Sequence, residues 1–311
     1  MPPSRTLVAA VAVAVAVLFI SPVAAQYVPE RVFKTASGAF ADFESMLADA
    51  ATADVLFVGE QHGDPNTHRL ERAVLDGLLR RRTGIVLSLE MFERDVQHTL
   101  DQFLTGQISE GDFLATSRPW PRYATDYKPL VDAAAAHDWP VVAANVPRPI
   151  AAEVAKGGLP VLDPKTGDAR LWFARDLQCP TDDEYYDRFA KAMGGHMPAG
   201  ETAAAGTVAS SADTLTRYYQ SQCLKDETMA ESIVQARQNA SAPGTAPLVV
   251  HVNGAFHSDF GLGTAARVRR RLPDARVVII TMLPVADLDT LAPGDDDRRR
   301  ADYLVYTLKK Q

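Results

Sequence analysis

Short apolar runs that each end on a polar residue recur along this 311-residue chain, with helical patterns between them. The runs at 55–58, 85–89, 141–144, 247–252 and 277–282 are rich in Val, Ile and Leu and too short for buried helices. They read as strands covered on both faces. Apolar spacing predicts helices over about 66–82, 95–104, 126–137, 213–239 and 265–272, and Tyr303–Leu308 has strand composition. This alternation specifies an α/β fold, a mostly parallel sheet flanked by helices. Ligands of such sheets bind beyond the carboxyl ends of the strands. Those ends carry Glu60 and His62, then Glu90, then Asn145, then Asn253 and His257, so residues far apart in sequence are expected to converge on one edge.

The first of these strands leads into Gly59-Glu60-Gln61-His62-Gly63-Asp64-Pro65. Asp64 accepts from orphan amides and Pro65 suits a first helical position, so the stretch reads as strand, loop and helix. Glu60 and His62 are two apart and share one side if the chain stays extended. A second Gly-x-x-His, Gly254 to His257, follows the fourth strand. Two such turns at equivalent positions predict a pocket in which imidazoles and carboxylates hold a metal or exchange protons. The alternative is a set of turn histidines satisfied by local hydrogen bonds. The spacing matches no zinc signature, so it names no metal. No nucleophile elbow and no Gly-rich phosphate loop is present, which argues against serine hydrolases and nucleotide enzymes. Within Trp120-Pro121-Arg122-Tyr123-Ala124-Thr125-Asp126-Tyr127 a tyrosinate could ligate ferric haem, with Arg122 near its charge or a propionate. The alternative is that Trp120 and the tyrosines pack beneath the next helix.

Residues 1–25, with Arg5 before an apolar stretch and small residues before Gln26, read as a signal peptide, so a periplasmic or secreted protein is expected. No cysteine follows that stretch, and membrane attachment through a lipid is not supported. The formal charge of -7 becomes about -8 once Arg5 is removed, which argues against nucleic acid. The two cysteines, Cys179 and Cys223, would form one disulfide in an oxidising compartment or stay as buried thiols. Residues 40–311 read as one α/β domain containing a smaller helical inserted lobe at 159–212, mobile near Gly194-Gly195 and 203–211. Residues 29–37 read as an irregular lead-in, 40–51 as a short helix, and the charge run 295–300 as a solvated loop.

The motifs at 58–68, 89–94, 118–127, 144–148 and 226–230, taken in order, closely resemble the ChaN-like haem-binding family, within a superfamily that includes erythromycin esterases and the Tiki and TraB group. The resemblance implies a role in bacterial iron or haem uptake, with haem held between two subunits of a homodimer by a tyrosine ligand and a histidine from across the interface. Tyr127 and Tyr123 are the candidate ligands because they lie in a matching motif, with His62, His257, Arg122 and Asn253 around the cofactor. Family members are often lipoproteins, and this chain departs from that pattern. The wider superfamily implies instead a hydrolase, metal-dependent or not, in which Glu60 or His62 is the general base, Glu90 and His257 orient a divalent metal ion or the substrate, and Asn253 polarises a carbonyl.

Overall fold

Burial runs unbroken from Val55 to Glu60, and this strand is the third of eight in a single sheet. A computed structural model of the chain describes residues 28–194, 211–239 and 246–310. The expected signal segment lies outside them, as do 195–210 of the lobe and with them most of the segment expected to move. In chain order the strands are β1 (Glu30–Lys34), β2 (Ala39–Ala41), β3 (Val55–Glu60), β4 (Ile85–Glu93), β5 (Val141–Asn145), β6 (Leu248–Gly254), β7 (Val277–Val285) and β8 (Tyr303–Leu308). Their order across the sheet is β2-β1-β8-β7-β3-β6-β4-β5. The six from β8 to β5 are parallel, and β1 and β2 add to the β8 edge in antiparallel pairing.

Alternate residues of β3 feed two cores. Leu56 and Val58 pack with the helices Phe43–Ala50, Pro65–Leu79 and Lys128–Ala136, whereas Val55 and Phe57 pack with the helices Ser211–Asn239 and Gly263–Arg271. The sheet is therefore covered on both faces, as its near-continuous apolar strands require. Chain order matters for the site. After β3 the chain passes over one position to form β4 and β5, then returns to insert β6 between β3 and β4, then crosses to β7 on the far side of β3. That reversal brings the carboxyl ends of β3, β6 and β4 side by side, the place where sheets of this kind bind ligands.

The N-terminal lead-in is a strand rather than irregular chain. Val32 and Phe33 are buried because β1 pairs along its length with β8, a partner at the other end of the chain that no local pattern reveals. The helix expected from 40 begins at Phe43, where Asp42 caps it by accepting from the Ser45 amide. The charge run is no simple solvated loop, since Asp297–Arg300 is a helical turn and Arg300 reaches Asp259 at 2.8 Å. Within the lobe, 3-10 turns at Leu159–Leu162 and Gly167–Trp172 precede the helix Glu184–Met193. A disulfide joins Cys179 in the lobe to Cys223 on the helix Ser211–Asn239. Among the described residues no helix is long and apolar enough to cross a membrane.

The disulfide links positions 44 residues apart. Constraining an unfolded loop of that length contributes about 4 kcal/mol in the chain-entropy model. The double change Cys179→Ser with Cys223→Ser is expected to lower the urea midpoint accordingly, and reduced wild type should match it. Coincident urea curves for oxidised wild type and the double variant would contradict this.

Candidate functional site

The two Gly-x-x-His turns interlock. Gly59 pairs with Asn253 and Glu60 with Gly254 across the parallel β3–β6 ladder, so both turns leave the sheet at the same level. A Cβ on Gly59 would stand 3.1 Å from Ala255 Cα, and one on Gly254 would stand 2.6 Å from His62 Nε2 and 3.6 Å from Glu90 Oε2. Each turn occupies the space that the other's glycine leaves free. Glycine leaves room for this at both positions, and at Gly254 it brings His62 and Glu90 to the same side of the backbone.

Around Glu60 lies the first group of polar side chains. The carboxylate is buried, and its Oε1 accepts from His62 Nδ1 and, at 2.9 Å, from the Tyr127 hydroxyl. Its Oε2 faces His68 Nδ1 at 3.5 Å, and Glu71 Oε2 lies 3.1 Å from the same nitrogen. His68 Nε2 is 3.3 Å from Asp126 Oδ2. Burial alone would raise the Glu60 carboxyl, but hydrogen bonds from His62 and His68 hold it well below the usual carboxylate range. Burial opposes charge on His68 too, yet contacts with Glu60 and Glu71 push it up to about 10. Glu71 is driven the other way, well above the usual range, by its own burial and by the Glu60 charge.

The second group surrounds His257. Its Nδ1 is 2.7 Å from Asp226 Oδ1 and its Nε2 3.3 Å from Glu90 Oε1. Glu90 Oε2 accepts from the Gly254 amide at 2.7 Å, continuing the β4–β6 contact beyond the last ladder pair. Asp226 also accepts from Thr264 Oγ1 at 2.8 Å and from the Tyr185 hydroxyl at 2.7 Å. Burial would lower the His257 pKa, but the facing Glu90 and Asp226 charges raise it to about 10, while Glu90 is held down to about 2 chiefly by His257.

Between the two groups opens a cavity of about 650 Å³ lined by Glu60, His62, Glu90, Asn145 and His257, with Trp120, Val146, Phe189, Met193 and Phe256 as apolar wall. Arg148, Lys225 and Arg300 supply positive charge. Arg148 is paired with Glu93 and Arg300 with Asp259, whereas Lys225 has no ion-pair partner among the described residues. The His62 side chain is 47% exposed, and Nε2 of its ring has no protein partner among the described residues, while Trp120 packs edge-on against it. The apolar wall, the His62 ring beside it and Lys225 in the lining are the groups that would meet a porphyrin, its iron and its propionates.

Five expected residues, Glu60, His62, Glu90, Asn145 and His257, thus meet in one cavity. The other four lie around it. Tyr127 is 2% exposed with its hydroxyl on Glu60, and Tyr123 is 5% exposed with its hydroxyl unpartnered, and neither lines the cavity. Burial pushes both phenols upward, which disfavours phenolate where they sit. Arg122 grips the loop, donating to the carbonyls of His62 and Gly63 and pairing with Asp126 at 2.8 Å. Asn253 is fully buried behind the turn, its amide donating to Gly254 O and Ser258 Oγ. Asn145, which does line the cavity, donates to the Glu90 carbonyl at 3.1 Å. Asp226 enters the sequence reading only as the start of the 226–230 motif, with no role assigned, and nothing there singles out Glu71 or Lys225. Asp226 carried a signal, since an acid three residues after Cys223 and four before Ala230 sits on the apolar stripe of its helix.

A family model described as haem-binding uptake, Tiki superfamily, ChaN, matches residues 46–268. Among solved structures, one of cofacial haem binding to ChaN of Campylobacter jejuni aligns with a TM-score of 0.64 at 16% identity, over 91% of this chain and 97% of that one. The type III effector HopBA1 aligns at 0.44 and 10% identity, over 94% of this chain and 100% of that one. The curated proteins give no match.

The raised His257 pKa has a consequence for stability. A histidine unfolds to a pKa of about 6.5, so its ionic contacts contribute fully below that pH and are lost as pH rises toward 10, where the folded state also deprotonates. His257→Gln is expected to be destabilised at pH 6 and to show a shallower loss of urea stability from pH 7 to 10 than wild type. His68, shifted the same way, leaves part of the slope in the variant. Parallel stability curves for the two proteins would rule this out.

Proposed function

Since the chain belongs to the haem-binding uptake family of the Tiki superfamily, ChaN, we propose that it takes up haem in the cavity at the ends of β3, β6 and β4, with His62 as the iron-facing side chain. The carrying observation is the His62 ring, half exposed in the cavity lining, fastened through Nδ1 to a buried carboxylate and without a hydrogen-bond partner at Nε2 among the described residues. A carboxylate behind an imidazole fixes its tautomer and raises the basicity of the other nitrogen. Trp120, Phe189, Met193 and Phe256 face the porphyrin, and Lys225 and Arg148 meet the propionates. Tyr127 acts here through Glu60, whose Oε1 it shares with His62. For Tyr127 or Tyr123 to bind iron directly, the segment 118–127 would have to turn a phenol outward. Haem, when bound, would supply a ferric or ferrous iron that accepts a nitrogen or oxygen ligand from the protein. The Campylobacter protein binds haem cofacially, and we extend that arrangement to a homodimer of this chain. We assign the protein to the periplasm or the exterior on its apolar N-terminal stretch and its disulfide.

A second reading rests on His257, clamped between Glu90 and Asp226 across the cavity from His62. In a hydrolase, His62 backed by Glu60 would take a proton from water while the His257 cation and Glu90 orient the substrate. The Asn253 amide is spent on Gly254 and Ser258 and takes no part.

Hemin added to the mature protein is expected to give a saturable Soret shift. Glu60→Gln should weaken binding by about 10- to 100-fold, as losing the group behind a ligand does. His62→Ala should change the band itself, and Tyr127→Phe should leave the band in place. A band lost in Tyr127→Phe but kept in His62→Ala would move the ligand to the tyrosine, and no saturable shift at all would end the haem reading. For the hydrolase, an ester and peptide panel should show turnover abolished by His62→Ala and by Glu60→Gln, and a protein inert across the panel counts against it.

A further inference from the structure

Behind the cavity, on the side of Glu60 away from His62, three side chains turn ligand atoms toward one another. Glu60 Oε2, His68 Nδ1 and a carboxylate oxygen of Glu71 lie within 4.8 Å of one another. From His68 Nδ1 the two carboxylates stand at 3.5 and 3.1 Å. Ligands on a tetrahedral ion with bonds of about 2.1 Å are about 3.4 Å apart, so little movement would be needed to bind one. All three residues are buried, and both Glu60 Oε2 and Glu71 Oε1 lack a hydrogen-bond partner among the described residues. Unsatisfied carboxylate oxygens in a dry interior are costly, and one of these, Glu60 Oε2, faces His68 Nδ1.

The far atoms of two of these side chains are already held. Glu60 Oε1 accepts from His62 and Tyr127, and His68 Nε2 lies 3.3 Å from Asp126, itself paired with Arg122. Metal sites are built in this manner, with the second nitrogen of a ligating histidine tied to a carboxylate that fixes ring and tautomer. The backbone supports it as well. His68 and Glu71 are three apart in the first turns of the helix Pro65–Leu79, hence on one face, and Glu60 closes the strand that runs into it.

We propose that Glu60, His68 and Glu71 bind one divalent first-row metal ion, distinct from haem iron and separated from the haem cavity by the Glu60 carboxylate. One imidazole and two carboxylates suit zinc or manganese. The ion would neutralise two packed acids and clamp the start of the helix to the end of β3, which positions the loop carrying His62. Its burial means that it enters during folding or local opening, as structural ions do.

The test uses haem-free full-length protein, unfolded with chelator and refolded with Zn²⁺ or Mn²⁺, then dialysed and analysed by plasma mass spectrometry. About one ion per chain is expected in wild type, with a raised melting temperature. Glu71→Gln, close in shape, and His68→Gln should each lose the ion and the thermal shift. Circular dichroism identifies any variant that has not folded, and for such a variant the wild-type stoichiometry and thermal shift decide alone. His257→Gln should keep the ion. Wild type that binds none after refolding overturns the proposal, the acids then sharing a proton instead. An ion lost in His257→Gln but kept in Glu71→Gln overturns it too, by moving the metal into the cavity. Neither result depends on whether hemin binds.

Discussion

A carboxylate shut away from water must be surrounded by donors, and the placement of Glu60 imposes that demand on everything near it. It closes β3 facing the helix that follows, where no solvent reaches. Its Oε1 accepts from His62 in the loop and from Tyr127, 67 residues further on, and its Oε2 faces the His68 ring of the helix at 3.5 Å. His68 is held in turn by Glu71 and Asp126, and the loop by Arg122. Leaving one such charge uncompensated in the interior costs several kcal/mol, so loop, helix and the 118–127 segment are fixed together or not at all.

The sheet order turns this local demand into a cavity. Because β6 is inserted between β3 and β4, the second turn is laid against the first, and glycines at 59 and 254 leave room for the close packing. The long helix Ser211–Asn239 then crosses the other face and brings Asp226 beneath His257, with Lys225 one residue away on the cavity side. The lobe contributes its wall through Phe189 and Met193, and the disulfide at Cys223 anchors it one helical turn from Asp226.

What the sequence made legible was whatever local pattern determines. The five central strands and the polar residue at the end of four of them follow from apolar runs and their stops, and the parallel sheet brings Glu60, His62, Glu90 and His257 together as expected. Contacts made at long range were not legible. β1 depends on β8, some 270 residues away, and its pattern of two buried residues in five is too short to stand out. Glu71 looks like any helical glutamate until the helix is docked on β3. The tyrosines of 118–127 were noticed for their chemistry, but whether a phenol faces a ligand or a carboxylate is set by how a short segment folds over the loop, and composition does not carry that information.

The twin motifs show most clearly why equal sequence does not mean equal role. Both histidines follow a glycine by three residues at the end of a strand, and both lean on a glutamate. His257 has carboxylates on both ring nitrogens and is 8% exposed, so its proton is fixed and neither nitrogen is left for a ligand. His62 has one carboxylate, 47% exposure and a free nitrogen on the cavity wall. The difference arises from the second element each turn meets. The long helix brings Asp226 to close the far side of His257, whereas the His62 ring meets the apolar edge of Trp120 and the Gly254 backbone, with no second carboxylate paired to it among the described residues. One turn therefore supplies a fixed positive charge and the other an open coordination or proton-accepting position, and the asymmetry needed by either a haem site or a general base comes from packing around identical motifs.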